Sequence, residues 1–323
     1  MDFLFPKDFL DRYGADCRPW SPTEARAYTR WLSGAHYENF HVVSFLLPKS
    51  LHQDFFNVYA YCRWADDLGD ELGDRRKSLV ALAWWRGELE SLFGGRPPRH
   101  PVFVALQETV ARRRLPEEPF ERLIQAFEMD QTKTRYQTYE EVLDYCVYSA
   151  NPVGRLVLGL CGYSDERRVA LSDSICTALQ LANHWQDVRR DLLERDRVYL
   201  PADRMAAHGY DYGALARDVE AGRAGEPVRA LIRDLTERAL ALFEAGADLP
   251  DLLDRRLSID IELFRRGGIT VLDKIRRQGY DVISRRPKVG KLERVGLVVR
   301  VLASRLLAGR NPSGAAPRPE AAE

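Results

Sequence analysis

Two acidic segments of this 323-residue chain carry side chains whose types and spacing could do chemistry. In NVYAYCRWADDLGDE, Tyr59, Arg63, Asp66 and Asp70 are spaced four, three and four apart. On a helix they share one face. In QLANHWQDVRRD, Gln180, Asn183, Asp187 and Asp191 follow at spacings of three, four and four. Carboxylates one turn apart repel, and a cation relieves that cost. Alone, the first segment reads more readily as a solvated acidic face. The second follows the apolar stretch LSDSICTALQLAN. Its oxygen-bearing face therefore continues a buried stripe, where amides and carboxylates need a partner. Asp66, Asp70, Asn183, Asp187 and Asp191 all offer hard oxygens. Such a set suits Mg²⁺ or Mn²⁺ rather than zinc, and Mg²⁺ commonly shares its shell with phosphate. The chemistry expected is metal-assisted handling of a diphosphate. Arg63, Arg189, Arg190 and Arg197 stand near enough in sequence to contact its oxygens.

Other chemistries find less support. A di-iron bundle needs two Glu-x-x-His pairs, and only Glu38–His41 fits. There is no P-loop and no dinucleotide fingerprint, so no nicotinamide cofactor is expected. Lys plus Arg equals Asp plus Glu, 48 each, so no overall field argues for nucleic acid. Five scattered cysteines without a CxxC pair argue against a disulfide framework or a zinc site, and for a reducing compartment. MDFLFPKDFL does not read as a signal peptide. No apolar run approaches the roughly 18 residues of a membrane span.

The elements that must position the two faces read as helices. Long Pro-free stretches carry apolar residues at spacings of three and four. Ser21-Pro22-Thr23-Glu24 is a capping box with Pro at the first helical position. No alternating strand with a hairpin turn is evident. The expectation is an all-α domain over residues 21–290 after an N-terminal segment 1–20, with 208–227 as a helix–helix connection. Residues 291–310 form a basic amphipathic helix, with Leu292, Val295, Val298, Val299, Leu302, Leu306 and Leu307 beside Arg294, Arg300, Arg305 and Arg310. It suits a membrane surface, although a terminal helix packed on the core with a wet basic side is the simpler reading. Residues 311–323 have a disordered-tail composition.

The paired Asp-x-x-x-Asp motifs with their flanks, NVYAYCRWADDLGDE and QLANHWQDVRRDLLERDRVYLP, resemble those of the squalene/phytoene synthase family from about Tyr28 to Arg286. The resemblance implies a class I isoprenoid synthase fold with a central cavity, in which Mg²⁺ assists departure of diphosphate from a prenyl substrate. It implies that Asp66 with Asp70, and Asp187 with Asp191, bind metal. Tyr59 and Arg63 would line the first site, and Gln180 and Asn183 would support the second. Arg190, Arg197 and His36 would add substrate contacts. Departures point to one branch. AHYENF places Tyr37, Glu38 and Asn39 where condensing members have small hydroxyls and a Lys. Gln186 replaces a common Arg, Ser149-Ala150-Asn151-Pro152 replaces an Ala-Gly-Thr pattern, and Gly268 replaces a Tyr. AHYENF, SANPVGRLVL and HWQDV together resemble the bacterial hopanoid branch, which ionises presqualene diphosphate, rearranges the cation and quenches it with water to hydroxysqualene. Tyr37, Asn39 or Asn151 would hold that water, unless they serve packing, capping and a helix kink. This branch implies functional links to a presqualene diphosphate synthase and a hydroxysqualene reductase, in the cytoplasm or peripherally on the inner face of the cytoplasmic membrane. The alternatives are condensation of two prenyl diphosphates, or a non-catalytic lipid-binding or assembly factor with the same fold.

Overall fold

The computed structural model describes residues 3–14, 18–35 and 47–308, and within them no strand forms. Apolar periodicity and terminal signals account for the helices. α1 (Pro6–Tyr13) starts at a Pro and buries Phe9. α2 (Pro22–Ala35) begins at the expected capping box. The Glu24 amide donates to Ser21 Oγ at 3.3 Å, and the Ser21 amide donates to Glu24 Oε2 at 2.9 Å. The long acidic helix α3 (Lys49–Asp70) follows. Next come α4 (Arg75–Phe93), capped by Asp74, α5 (Pro101–Arg113), capped by His100, and α6 (Glu118–Thr132). α7 (Tyr139–Ser149) and α8 (Asn151–Leu160) meet at Ala150, where Pro152 permits only a fresh helix start. α9 (Glu166–Arg195) carries the whole second motif. α10 (Ala202–Ala207), α11 (Tyr212–Ala221), α12 (Glu226–Ala245), α13 (Arg255–Arg277) and α14 (Lys291–Ala308) complete the chain. The stretch 208–227, expected as a connection, thus contains a helix, α11, capped by Asp211 and closed by Gly222 at φ 63°.

The chain divides into two compact units. The first comprises residues 1–163 and 191–203, and the second residues 164–190 and 204–323. In the first, α3 packs against α2, α4, α5, α6 and α8. An aromatic cluster anchors it: Trp64 stacks on Trp85 with ring centroids 5.2 Å apart, and His100 meets Trp64 edge-on at 4.3 Å. Burial holds the His100 imidazole well below its usual pKa, so it packs as a neutral ring. One turn from the start of α3, fully buried Asp54 accepts from Thr109 Oγ1 at 2.8 Å and Arg113 Nε at 2.9 Å, and pairs with Arg112. Buried polar bonds of this kind fix the register of a helix, here the helix that ends in Asp66 and Asp70. At Gly69 a side chain would meet Phe127 at 3.1 Å, so α3 approaches α6 closely between the two acids of interest.

In the second unit α13 packs on α12 and α14. A Cβ at Gly268 would lie 2.3 Å from Phe243 Cζ and 2.8 Å from Leu179 Cδ2. The Phe243 ring therefore fills the space that a side chain at position 268 would need.

Candidate active site

The first unit gathers a chain of alternating acids and arginines. Arg63 pairs with Asp66 at 3.1 Å, with Glu71 at 3.0 Å and with Asp67. Asp70 receives two arginines, Arg195 Nη2 at 3.0 Å and Arg197 Nη1 at 2.9 Å. Arg195 also reaches Asp191 at 3.9 Å. One guanidinium therefore stands between a carboxylate of the first motif and one of the second. Arg197 lies in turn 3.5 Å from Asp130. That buried carboxylate accepts from the Tyr145 hydroxyl at 2.8 Å and the Tyr199 hydroxyl at 3.1 Å.

Local sequence explains why Arg197 sits there. α9 ends at Arg195, and Asp196 takes the left-handed conformation at φ 52°, which Asp tolerates better than most residues. The chain then runs beside residues 134–137. The Val198 amide donates to Thr134 O and the Ala202 amide to Tyr136 O, each at 2.9 Å. Arg135 clamps Asp196 at 2.6 Å.

Burial, then Asp70, pushes the Asp66 carboxyl up to about 6, against the pull of Arg63. Burial pushes Asp67 up to about 7 and Asp130 up to about 6, with Arg63 and Arg197 respectively opposing. Burial thus holds these acids toward their neutral forms even with three arginines among them. An added hard cation fits such oxygen donors. Among the described residues no three His, Cys, Asp or Glu side chains already converge to hold a metal ion.

In the second unit Asp187 is gripped by both arms of Arg286, with Nη2 donating to Oδ2 at 2.9 Å and Nε donating to Oδ1. Gln186 is 8% exposed. Its amide donates to Pro287 O, and its Oε1 lies 3.5 Å from Arg286 Nη2. Gln180 is half-buried, whereas Asn183 and Arg190 are exposed.

Of the residues expected from sequence, Asp66, Asp70, Asp191, Arg63 and Arg197 thus fall in the first unit's network, and Asp187 in the second unit's arginine clamp. Tyr59 is half-buried on α3, and burial raises its hydroxyl pKa. Asn151 is 5% exposed at the start of α8. His36, Tyr37 and Asn39 lie outside the described residues. Sequence reasoning missed Asp67, Asp130, Arg195 and Arg286. For Asp130 a signal existed: it shares the helical face of Leu123, Phe127 and Gln131, most of it buried, and an acid on such a face needs a partner. Arg286 lies 99 residues from Asp187, and no local periodicity links them.

An all-α fold whose two acidic helices bear these carboxylates is that of the class I isoprenoid synthases. It superposes on the squalene synthase HpnC from Alicyclobacillus acidocaldarius with a TM-score of 0.74 and 46% identity, covering 80% of this chain and 95% of that one. On a dehydrosqualene synthase in complex with ligand the TM-score is 0.78 at 25% identity, covering 89% and 98%. The squalene/phytoene synthase family profile matches residues 34–293, and the chain belongs to that family. A phytoene synthase of Thermus thermophilus is 36% identical over 287 residues, 88% of this chain and 92% of its own length. A hydroxysqualene synthase of Zymomonas mobilis is 30% identical over 277 residues, covering 84% and 90%. The protein is accordingly an enzyme of isoprenoid diphosphate chemistry. No described helix is long and apolar enough to cross a membrane.

Proposed function

We propose that the protein converts presqualene diphosphate and water to hydroxysqualene and diphosphate. The observation that carries this reading is Gln186. Condensing members of the family must balance two diphosphates and commonly have an arginine at this position. Here the residue is neutral, buried, and committed through its amide to Pro287 O. One positive charge fewer than in condensing members suits one diphosphate better than two. The similarity to the hydroxysqualene synthase of Zymomonas mobilis points the same way.

In this reading Asp66, Asp70, Asp187 and Asp191 would hold Mg²⁺, with Asn183 as an additional oxygen donor. Bound there, Mg²⁺ supplies positive charge to the leaving diphosphate. Arg195, Arg197 and Arg286 then exchange carboxylate partners for phosphate oxygens, which a planar guanidinium meets two at a time. The C–O bond of presqualene diphosphate breaks with its electron pair on the leaving group. The cyclopropylcarbinyl cation rearranges, a water oxygen bonds to the carbon, and the proton passes to solvent or to the departed diphosphate. No reductant is consumed. Tyr37, Asn39 and Asn151 are the side chains proposed to hold that water, and apolar walls must exclude other water until the rearrangement is complete.

The test offers presqualene diphosphate, and in separate reactions farnesyl or geranylgeranyl diphosphate, to the purified protein with Mg²⁺ and no reductant, with products read by mass spectrometry. Hydroxysqualene from the first and no consumption of the prenyl diphosphates is expected. The likeness to the phytoene synthase of Thermus thermophilus favours a second reading, condensation of two prenyl diphosphates. Consumption of farnesyl or geranylgeranyl diphosphate would establish it and remove the first.

A further inference from the structure

α14 presents its apolar residues on two sides. One side packs on α13: Val301 is fully buried, and Arg305 reaches Glu262 at 3.8 Å and also pairs with Asp251. Lys274 of α13 pairs with Glu293 at 2.7 Å and fastens the first turn. The other side is apolar and open. Leu292 is 88% exposed, Val295 61% and Val299 60%. At 100° per residue, these three and half-buried Leu302 fall within an arc of about 80° turned away from Val301. They form the longest run among the large exposed apolar side chains described. Soluble monomers seldom leave such a stripe uncovered without a use.

Charge identifies the occupant. The chain as a whole is neutral, yet Arg285, Arg286, Lys288, Lys291, Arg294 and Arg300 crowd residues 285–300 against a single acid in that stretch, Glu293. Of the six, Arg286 is the one compensated from outside the stretch among the described residues, by Asp187. All six are exposed. Beside the helix lies a cavity of about 640 Å³ lined by Lys274, Arg277, Gln278, Arg285, Arg286, Lys288 and Glu293. A second copy of this chain would bring the same basic residues together at a symmetric contact and repel. An anionic bilayer meets both features at once, because acyl chains accept the stripe while phosphate headgroups meet the basic rim. We propose that the outer face of α14, with Arg285, Lys288, Lys291, Arg294 and Arg300 around it, docks the protein onto anionic phospholipid membranes. The helix lies in the interface plane and does not span it. This inference does not rest on the identity of the reaction.

The test is flotation of the full chain, without substrate, on vesicles of phosphatidylcholine alone and of phosphatidylcholine with phosphatidylglycerol. Binding only to the second, weakened when salt is raised several-fold, is expected, since the Debye length falls from about 8 Å at physiological ionic strength. Combining Leu292→Asp, Val295→Asp and Val299→Asp should reduce the bound fraction at least about tenfold with an unchanged melting temperature, because all three are exposed. Combining Lys291→Glu with Arg294→Glu should remove the preference for the anionic lipid while leaving the stripe intact. No binding to either vesicle, equal binding to both, or binding indifferent to the apolar substitutions would overturn the proposal. So would a dimer in sedimentation that the apolar substitutions dissociate in the absence of vesicle binding, which would assign the face to a second copy.

Discussion

Arg197 is held between two carboxylates, Asp70 at 2.9 Å and Asp130 at 3.5 Å, with its own side chain 10% exposed. Removing one partner of a buried ionic group costs more than the group contributes when paired, because the remaining charge is stranded. Arg197→Met should therefore destabilise by roughly 3 kcal/mol in urea unfolding, and adding Asp130→Asn should recover part of that loss. Equal losses in the single and double variants would mean the two do not interact. Asp260 is the opposite case. It is 1% exposed, neither carboxylate oxygen has a hydrogen-bond partner, and burial, then Asp254, pushes its pKa up to about 8. The neutral form is favoured in the fold, so between the unfolded value near 3.8 and about 8 the unfolded chain binds fewer protons. Stability falls across that window as pH rises, and the penalty is complete above it. Asp260→Leu should gain on the order of 2 kcal/mol at pH 8 and little at pH 4. A gain independent of pH would show that Asp260 does not titrate in this way.

At the scale of the element, α3 and α9 were legible because spacings of three and four repeat along them and the oxygen-bearing residues fall on single faces. The Ser21–Glu24 cap was legible for the same local reason. What could not be read was contact over distance. Asp187 finds Arg286 across 99 residues, and Arg197 is aimed by backbone bonds to residues 134–137. α11 was hidden because 208–227 is rich in Gly and charge, and a ten-residue helix buries only Leu215 and Val219. Gly268 is another tertiary residue, since α13 comes so close to Phe243 and Leu179 that no Cβ fits. Gly268→Ala should cost about 1–3 kcal/mol by overpacking, despite the better helix propensity of Ala. Pairing it with Phe243→Leu should return part of the loss in thermal unfolding. If Gly268→Ala were neutral, α13 would have room that the close approach denies.

At the scale of the whole molecule, a neutral chain concentrates its electrostatics in clusters where motif aspartates and arginines compensate one another. Asp66, Asp67 and Asp130 are all pushed upward chiefly by burial. Arg195, Arg197 and Arg286 spend their donors on aspartates of the two motifs. On the proposed reading, Mg²⁺ would take the carboxylates and diphosphate the arginines, and neither alone would suffice: the metal would face guanidiniums, and the anion would face carboxylates. A ligand pair that binds only the folded state stabilises it by mass action, about 2.7 kcal/mol at a hundredfold excess over the dissociation constant. Mg²⁺ with diphosphate should therefore raise the melting temperature by several degrees, while either one alone should raise it little. Asp66→Asn combined with Asp70→Asn should abolish the joint effect, and the readout is the ligand-dependent shift, because the basal melting temperature falls as Arg195 and Arg197 lose Asp70. Full stabilisation by diphosphate in the presence of a chelator would place the anion on the arginines alone and deny the carboxylates a metal.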